Sequence, residues 1–279
     1  LGYFPDTPCG QDVDYYLWIK TMENANVFVP AGAPDEAFTA LSAWSDPELT
    51  WYDDSSTDTG WGVTGDATDG QWERGIPYGG NNRPQTDCDD TTGWCWLTDN
   101  ATGQSDVDEG QTILTSARID ATNATHVGYC YWYRNKQNNG NGEDDTLDVQ
   151  VSDDDGTSWR TLYQVGPTGP DTDGLWFTTQ QSLASLSGFT PNDAFRIRFI
   201  AQDLGQTSRV EAAIDNIQIT SVDCSNQPCP GDLDGDGQVG TNEILAVLDA
   251  WGDCQGCPAD MTDDGVVNVN DLLFIVGVF

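Results

Sequence analysis

The sequence predicts a mainly β protein: an antiparallel β-sandwich followed by a small α-helical unit in which one loop–helix segment occurs twice. Three observations carry this. Between residues 60 and 222, apolar and polar residues alternate with period two in short runs divided by Gly, Asp and Asn. No helical stretch separates those runs, as expected of strands that return antiparallel rather than through crossover helices. From residue 229 to 279 the apolar spacing becomes helical, and it does so twice, 28 residues apart.

Residues 1–59 read as an N-terminal extension. Tyr15-Tyr16-Leu17-Trp18-Ile19 and Asn26-Val27-Phe28-Val29 are candidate strands, and Asp35–Ala43 is a candidate short helix. Two roles are open for this segment: covering an edge of the sandwich, or adding a strand to another subunit.

Residues 60–222 form the sandwich. Val127, Tyr129, Tyr131 and Tyr133 alternate with Gly128, Cys130, Trp132 and Arg134. Leu147, Val149 and Val151 share one phase, and so do Phe195, Ile197, Phe199 and Ala201. In the last strand Val210, Ala212 and Ile214 hold one phase, while Ile217 and Ile219 hold the other. The slip falls at Asp215-Asn216 and predicts a β-bulge, which re-aims a side chain. Asp215 is therefore a candidate buried ligand.

Ser152-Asp153-Asp154-Asp155-Gly156-Thr157-Ser158-Trp159 is close to the Asp-box hairpin, with Ser158 where Thr is usual; its role is structural. Further segments occur in order: Trp72–Pro77, Cys95-Trp96-Leu97-Thr98, Asp106–Gly110, Tyr131-Trp132-Tyr133, the Asp-box, Arg198–Ala201 and Val210–Ile217. This set resembles the MAM-like jelly-roll modules of secreted bacterial proteins. The resemblance implies a non-catalytic jelly-roll sandwich, often with a structural cation of its own. Asp215, with Asp106 and Asp108 from the acidic loop, are the candidate ligands; turn capping is the alternative.

Residues 223–279 form the third region. Its first loop runs Asp232 to Glu243 and its second Asp260 to Asp271. Oxygen ligands at loop positions 1, 3, 5, 7 and 12, with Gly at position 6 for the sharp turn, are the geometry that hard divalent cations require. The first loop offers Asp232, Asp234, Asp236, the Gln238 carbonyl and Glu243; the second offers Asp260, Thr262, Asp264, the Val266 carbonyl and Asp271. Two Ca2+ ions are expected here, the Thr262 site being weaker by one carboxylate, and one more in the sandwich. After each loop comes an apolar helical pattern, Ile244, Leu245, Val247, Leu248 and Trp251, then Leu272, Leu273, Ile275, Val276 and Phe279, read as one buried face. The paired loop–helix without an entering helix resembles a type I dockerin, with Glu243 where Asp is usual. That resemblance implies a docking module.

The formal net charge is −36. Such a surface repels phosphate backbones and anionic membranes, which argues against nucleic acid and membrane insertion. Divalent cations are the natural counter-charge; adaptation to saline water is the alternative. Eight cysteines point to an oxidising compartment, so we expect a secreted or cell-surface protein, read as a mature, processed chain. Cys88 and Cys95 are candidates to clip a turn, which leaves Cys9 and Cys130 to pair across the fold. Cys224, Cys229, Cys254 and Cys257 cluster at the repeat, where disulfides suit better than zinc.

His126 is the only histidine and is read as a polar residue at a strand edge. With no nucleophile elbow, phosphate loop or dinucleotide fingerprint, the chain is expected not to be an enzyme. Three functions remain, the last of them a carboxylate-pair glycosidase, for which no pair stands out among so many acids. The first is a calcium-stabilised structural or adhesion subunit that docks to a protein partner or to itself as a filament. The second is a carbohydrate-binding accessory module that holds a polysaccharide on exposed aromatic rings.

Overall fold

The period-two runs pair as two antiparallel sheets that bury their apolar phases against each other. In a computed structural model of the chain, the described residues are 12–21, 26–29, 33, 37–42, 46–80, 82–89, 91–101, 106–137, 144–205, 208–224, 231–234, 239–254, 256–262 and 264–278. In chain order the first strands are Asp12–Tyr15 (β1), Leu17–Lys20 (β2), Asn26–Val29 (β3), Phe38–Leu41 (β4), Glu48–Asp53 (β5), Gly62–Gly65 (β6), Trp72–Gly75 (β7) and Cys95–Thr98 (β8). Then come Gly110–Thr115 (β9), His126–Gln137 (β10), Leu147–Ser152 (β11), Arg160–Val165 (β12), Asp173–Ser182 (β13), Arg196–Asp203 (β14) and Ser208–Ser221 (β15). Helix α1 (Thr241–Asp249), the short strands Gly252–Asp253 (β16) and Val266–Val267 (β17), and helix α2 (Val269–Val278) complete the chain.

One sheet has the order β13-β10-β15-β8-β7, with β5 also pairing β15; the other has the order β12-β11-β14-β9-β6. Val127, Tyr129, Tyr131 and Tyr133 meet Leu147, Val149, Val151, Ile197 and Phe199 in the core between them. Trp72 ties the sheets together: its Nε1 donates to the Thr112 carbonyl of β9 at 3.1 Å. The architecture is the predicted mainly β antiparallel sandwich with short C-terminal helices.

Several details differ from the sequence reading. The sandwich unit spans Pro47–Val222, so it opens before residue 60: β5 pairs with β15 through Asp53↔Ile217 and Trp51↔Ile219, which supplies the apolar face of Trp51 with a partner. The described part of Asp35–Ala43 is strand, β4 pairing with β1, because strand ladders satisfy the backbone groups of both segments at once. His126 is buried on an inner strand rather than at an edge, with its Nδ1 2.9 Å from Thr125 Oγ1. The second unit comprises 1–46 and 223–279; in it β2 pairs with β3, and β16 with β17.

Cys88 is joined to Cys130, not to Cys95. Period two explains the difference. Cys130 lies on the outer phase of β10, opposite the tyrosines, and the segment before β8 folds over that face. There Cys95, Leu97, Trp132 and Ala213 form a second small core, and Trp176 Nε1 donates to the Thr86 carbonyl at 3.0 Å. Cys95 is buried with a free thiol, which burial pushes far above its usual range. Cys254 and Cys257 are joined, so these two sulfurs are not available as zinc thiolates; Cys9 and Cys229 lie outside the described residues.

Candidate cation sites

Strand β15 carries the predicted bulge. Its register against β10 shifts between Gly128↔Gln218 and Cys130↔Asp215, and Asn216 takes a left-handed φ of 50°. The bulge turns Asp215 to the outer face, where it is 1% exposed. There it meets the segment held by the Cys88–Cys130 disulfide. Carboxylate oxygens of Asp87, Asp89 and Asp215 lie within 4.8 Å of one another. Asp215 accepts from the Cys88 amide at 3.2 Å and from the Asn216 amide at 2.8 Å. Asp87 Oδ2 accepts from the amides of Thr92 and Gly93, while its Oδ1 is buried with no hydrogen-bond partner. Burial pushes the Asp215 carboxyl up to about 7, with Asp87 adding repulsion. Hydrogen bonds from Thr91 hold Asp89 below the usual range. An orphaned oxygen beside two further carboxylates suits a divalent cation, which would satisfy all three at once.

The structure separates Asp215 from the ligands predicted to join it. Asp106 and Asp108 precede β9 and lie by the start of β15, where Val107 bridges Val210, five residues before Asp215. Asp106 is buried, its Oδ2 has no partner, and burial together with Asp108 raises it to about 7. Asp87 and Asp89 take their place beside Asp215. Sequence reading missed this pair because β8 and the segment before it are brought to β15 only by sheet pairing; the disulfide partner of Cys130 would have pointed to it.

In the C-terminal unit, oxygens of Asp232, Asp234 and Glu243 lie within 4.8 Å of one another. Glu243 is the third residue of α1, and its Oε2 accepts from the amide of the N-cap Gly240 at 2.6 Å, the half of a capping box that a glycine N-cap permits. Its Oε1 is buried with no hydrogen-bond partner. These residues fit a hard cation. Asp236 and Gln238 lie outside the described residues.

The second loop uses its oxygens differently. Asp260 accepts from the amides of Asp264 and Gly265, and Asp264 from that of Val266. Asp271 is fully buried and accepts from Thr262 N and Oγ1, both at 3.0 Å, and from Asn268 N at 2.8 Å. The Val266 carbonyl accepts from Asn268 Nδ2 at 3.0 Å. Two backbone amides and one hydroxyl thus hold the Asp271 carboxylate within the loop. Among the described residues this loop has no trio of carboxylates as close as that of the first.

The helices pack by the repeat. Val247 and Ile275, equivalent positions, are both fully buried, with Val267 and Ala259 between them. The expected single buried face is in fact two faces. Leu245 and Leu248 of α1, and their equivalents Leu273 and Val276 of α2, point outward and are 48–61% exposed.

No known protein family matches the chain, and no curated protein matches it. Solved structures similar to it include two cleaved adhesin domains of Lys-gingipain from Porphyromonas gingivalis W83. K1 has 12% identity, covers 62% of this chain and 98% of that one, and gives a TM-score of 0.41. K3 has 12% identity, covers 62% and 99%, and gives 0.42. The family 11 carbohydrate-binding module of the cellulase Lic26A-Cel5E of Clostridium thermocellum has 14% identity, covers 63% and 95%, and gives 0.37. These three TM-scores lie below 0.5.

Proposed function

We propose that the chain is a non-catalytic extracellular adhesion module, stabilised by calcium, that holds another macromolecule rather than turning one over. The observation that supports this is the outward apolar pair repeated on both C-terminal helices. Leu245/Leu248 and Leu273/Val276 are separated by three residues, so each pair forms a stripe, and Trp251 at 50% exposure extends the first. A stripe on a helix is presented in register only if its loop is closed. Closure brings Asp232, Asp234 and Glu243 together, and their mutual repulsion is offset when Ca2+ supplies the positive charge. The partner is another protein or a second copy; with a net charge of −36, self-association needs calcium or high ionic strength. The disulfides fit an oxidising, extracellular setting.

The test is sedimentation and partner capture with and without millimolar calcium, using wild type and Leu245→Asp/Leu273→Asp. Calcium-dependent association lost in the variant supports docking. A monomer that captures nothing at high protein concentration rejects it.

A second reading, polysaccharide recognition by the sandwich, is favoured by Tyr78. Its ring is 66% exposed on a segment locked by Asn100, which accepts from the Tyr78 amide at 2.7 Å and donates to the Ile76 carbonyl at 2.8 Å. A ring held this way can stack on a sugar at little entropic cost. Affinity electrophoresis on a polysaccharide panel, with Tyr78→Ala as control, separates the two readings.

A further inference from the structure

The sandwich holds another acidic centre, away from Asp215. Asp145, just before β11, and Asp203, the last residue of β14, stand within hydrogen-bonding reach of each other. Asp145 accepts from the Leu204 amide at 2.6 Å and contacts Ser208 Oγ at 2.9 Å. That hydroxyl also lies 2.8 Å from Asn135 Oδ1, which accepts as well, so its single hydrogen cannot serve both. Asp203 is 3% exposed; its carboxyl is approached by the amides of Ser208, which donates to Oδ1, and Glu109, and its Oδ2 is buried without a hydrogen bond of normal geometry.

Asp203 also lines a cleft of about 300 Å³ whose other walls include Asp66, Glu109, Gly110 and Gly205. Both glycines bring carboxylates close. A Cβ on Gly110 would stand 2.8 Å from Asp66 Oδ1, and one on Gly205 would stand 3.1 Å from Asp144 Oδ2. The groups that act most strongly on Asp145 and Asp203 are carboxylates and neutral donors, with no lysine or arginine among them. Two facing buried carboxylates, one Asp203 oxygen without a donor and an acidic cleft that Asp203 lines leave a positive charge to be supplied.

We propose that this cleft is a divalent-cation site, with Asp203 and Asp145 as its buried ligands and Asp66, Glu109 and Asp144 as its rim. Occupied, it would join the end of β14, the start of β11 and the turn into β9. The cation takes the place that a shared proton would otherwise hold between the two carboxyls. The site is independent of the docking surface, since it lies wholly within the sandwich.

The experiment counts calcium ions per full-length chain by equilibrium dialysis and locates manganese by anomalous diffraction. Asp203→Asn should lose one ion relative to wild type and leave the Asp215 and Glu243 sites filled. Asp66→Asn, a change at the cleft rim that does not disturb the buried pair, should fill the site only at higher calcium. It also keeps the test valid if the buried variant fails to fold. An unchanged ion count in Asp203→Asn, or a manganese map with peaks elsewhere but none at Asp203, overturns the proposal. So does an Asp145→Asn variant that melts higher in chelator and binds as many ions as wild type, since the pair would then be sharing a proton.

Discussion

The Asp215 carboxylate accepts the amide hydrogen of Cys88 at 3.2 Å across 127 positions of sequence. The bulge at Asn216 turns Asp215 outward, and the Cys88–Cys130 disulfide holds the opposing segment against it. Each half of the site is placed by a different device, so each can be broken separately.

Removing the disulfide should weaken both stability and cation binding. The bridge closes a loop of 42 residues, for which the chain-entropy relation gives about 4 kcal/mol. Cys88→Ala/Cys130→Ala should melt well below wild type in chelator, and the gap should widen as calcium is added, since the tighter-binding wild type gains more from the same calcium. Calorimetry at graded calcium measures this; equal melting of the two proteins would contradict it.

Glu243→Gln should leave helix α1 capped but remove one charge from the first loop. The amide oxygen can still accept from Gly240 N, whereas cation affinity should fall. At calcium a hundredfold above its dissociation constant, wild type gains about 2.7 kcal/mol from one site. The variant should lose most of that gain at the same concentration, while Thr262→Asp in the second loop should raise affinity there. Titration calorimetry on both reads the outcome.

Glu211 should make stability depend on pH. Burial pushes its carboxyl up to about 9, although Arg83 lies 3.3 Å away and also pairs with Asp99. Its folded value lies above the unfolded one, so the folded state holds a proton that the unfolded state has released. Glu211 therefore lowers stability progressively as pH rises from about 4, near the unfolded value, through about 9. Glu211→Gln should keep the Thr98 Oγ1 contact and melt higher than wild type, by a margin that widens between pH 5 and about 9. A margin that stays flat or narrows refutes the assignment.

Asp154 should matter to the hairpin and not to binding. It accepts from Ser158 N at 2.8 Å and from the hydroxyls of Ser158 and Ser152, bonds that hold its carboxyl down at about 2. Beyond the turn, Trp159 lies under Arg198, whose guanidinium carbon is 4.1 Å from the ring centroid. Asp154→Ala should speed amide exchange between residues 152 and 160 and leave calcium and partner binding unchanged. Its stabilising bonds are present above the ordinary carboxylate range and are lost as pH falls towards about 2.

Local pattern alone determined much of this protein. Period two in Val127–Tyr133 and Phe195–Ala201 specified strands and their buried phase, because side chains alternate across any strand whatever its partners. The phase slip at Asp215-Asn216 specified the bulge for the same reason. The helical spacing after Glu243 and after Asp271 specified α1 and α2. The carboxylate spacing of the first loop brought Asp232, Asp234 and Glu243 together, because those ligands lie on one short curve of chain. What only the tertiary structure decided is which distant segments meet. Strand pairing set Asp87 and Asp89, not Asp106 and Asp108, beside Asp215. The fold of a covering segment gave Cys130 to Cys88. The C-terminal helices turned Val247 and Ile275 inward and left Leu245 and Leu273 outside. Pairing across a sheet is a non-local choice, settled by which faces can be buried together, and no spacing along the chain records it.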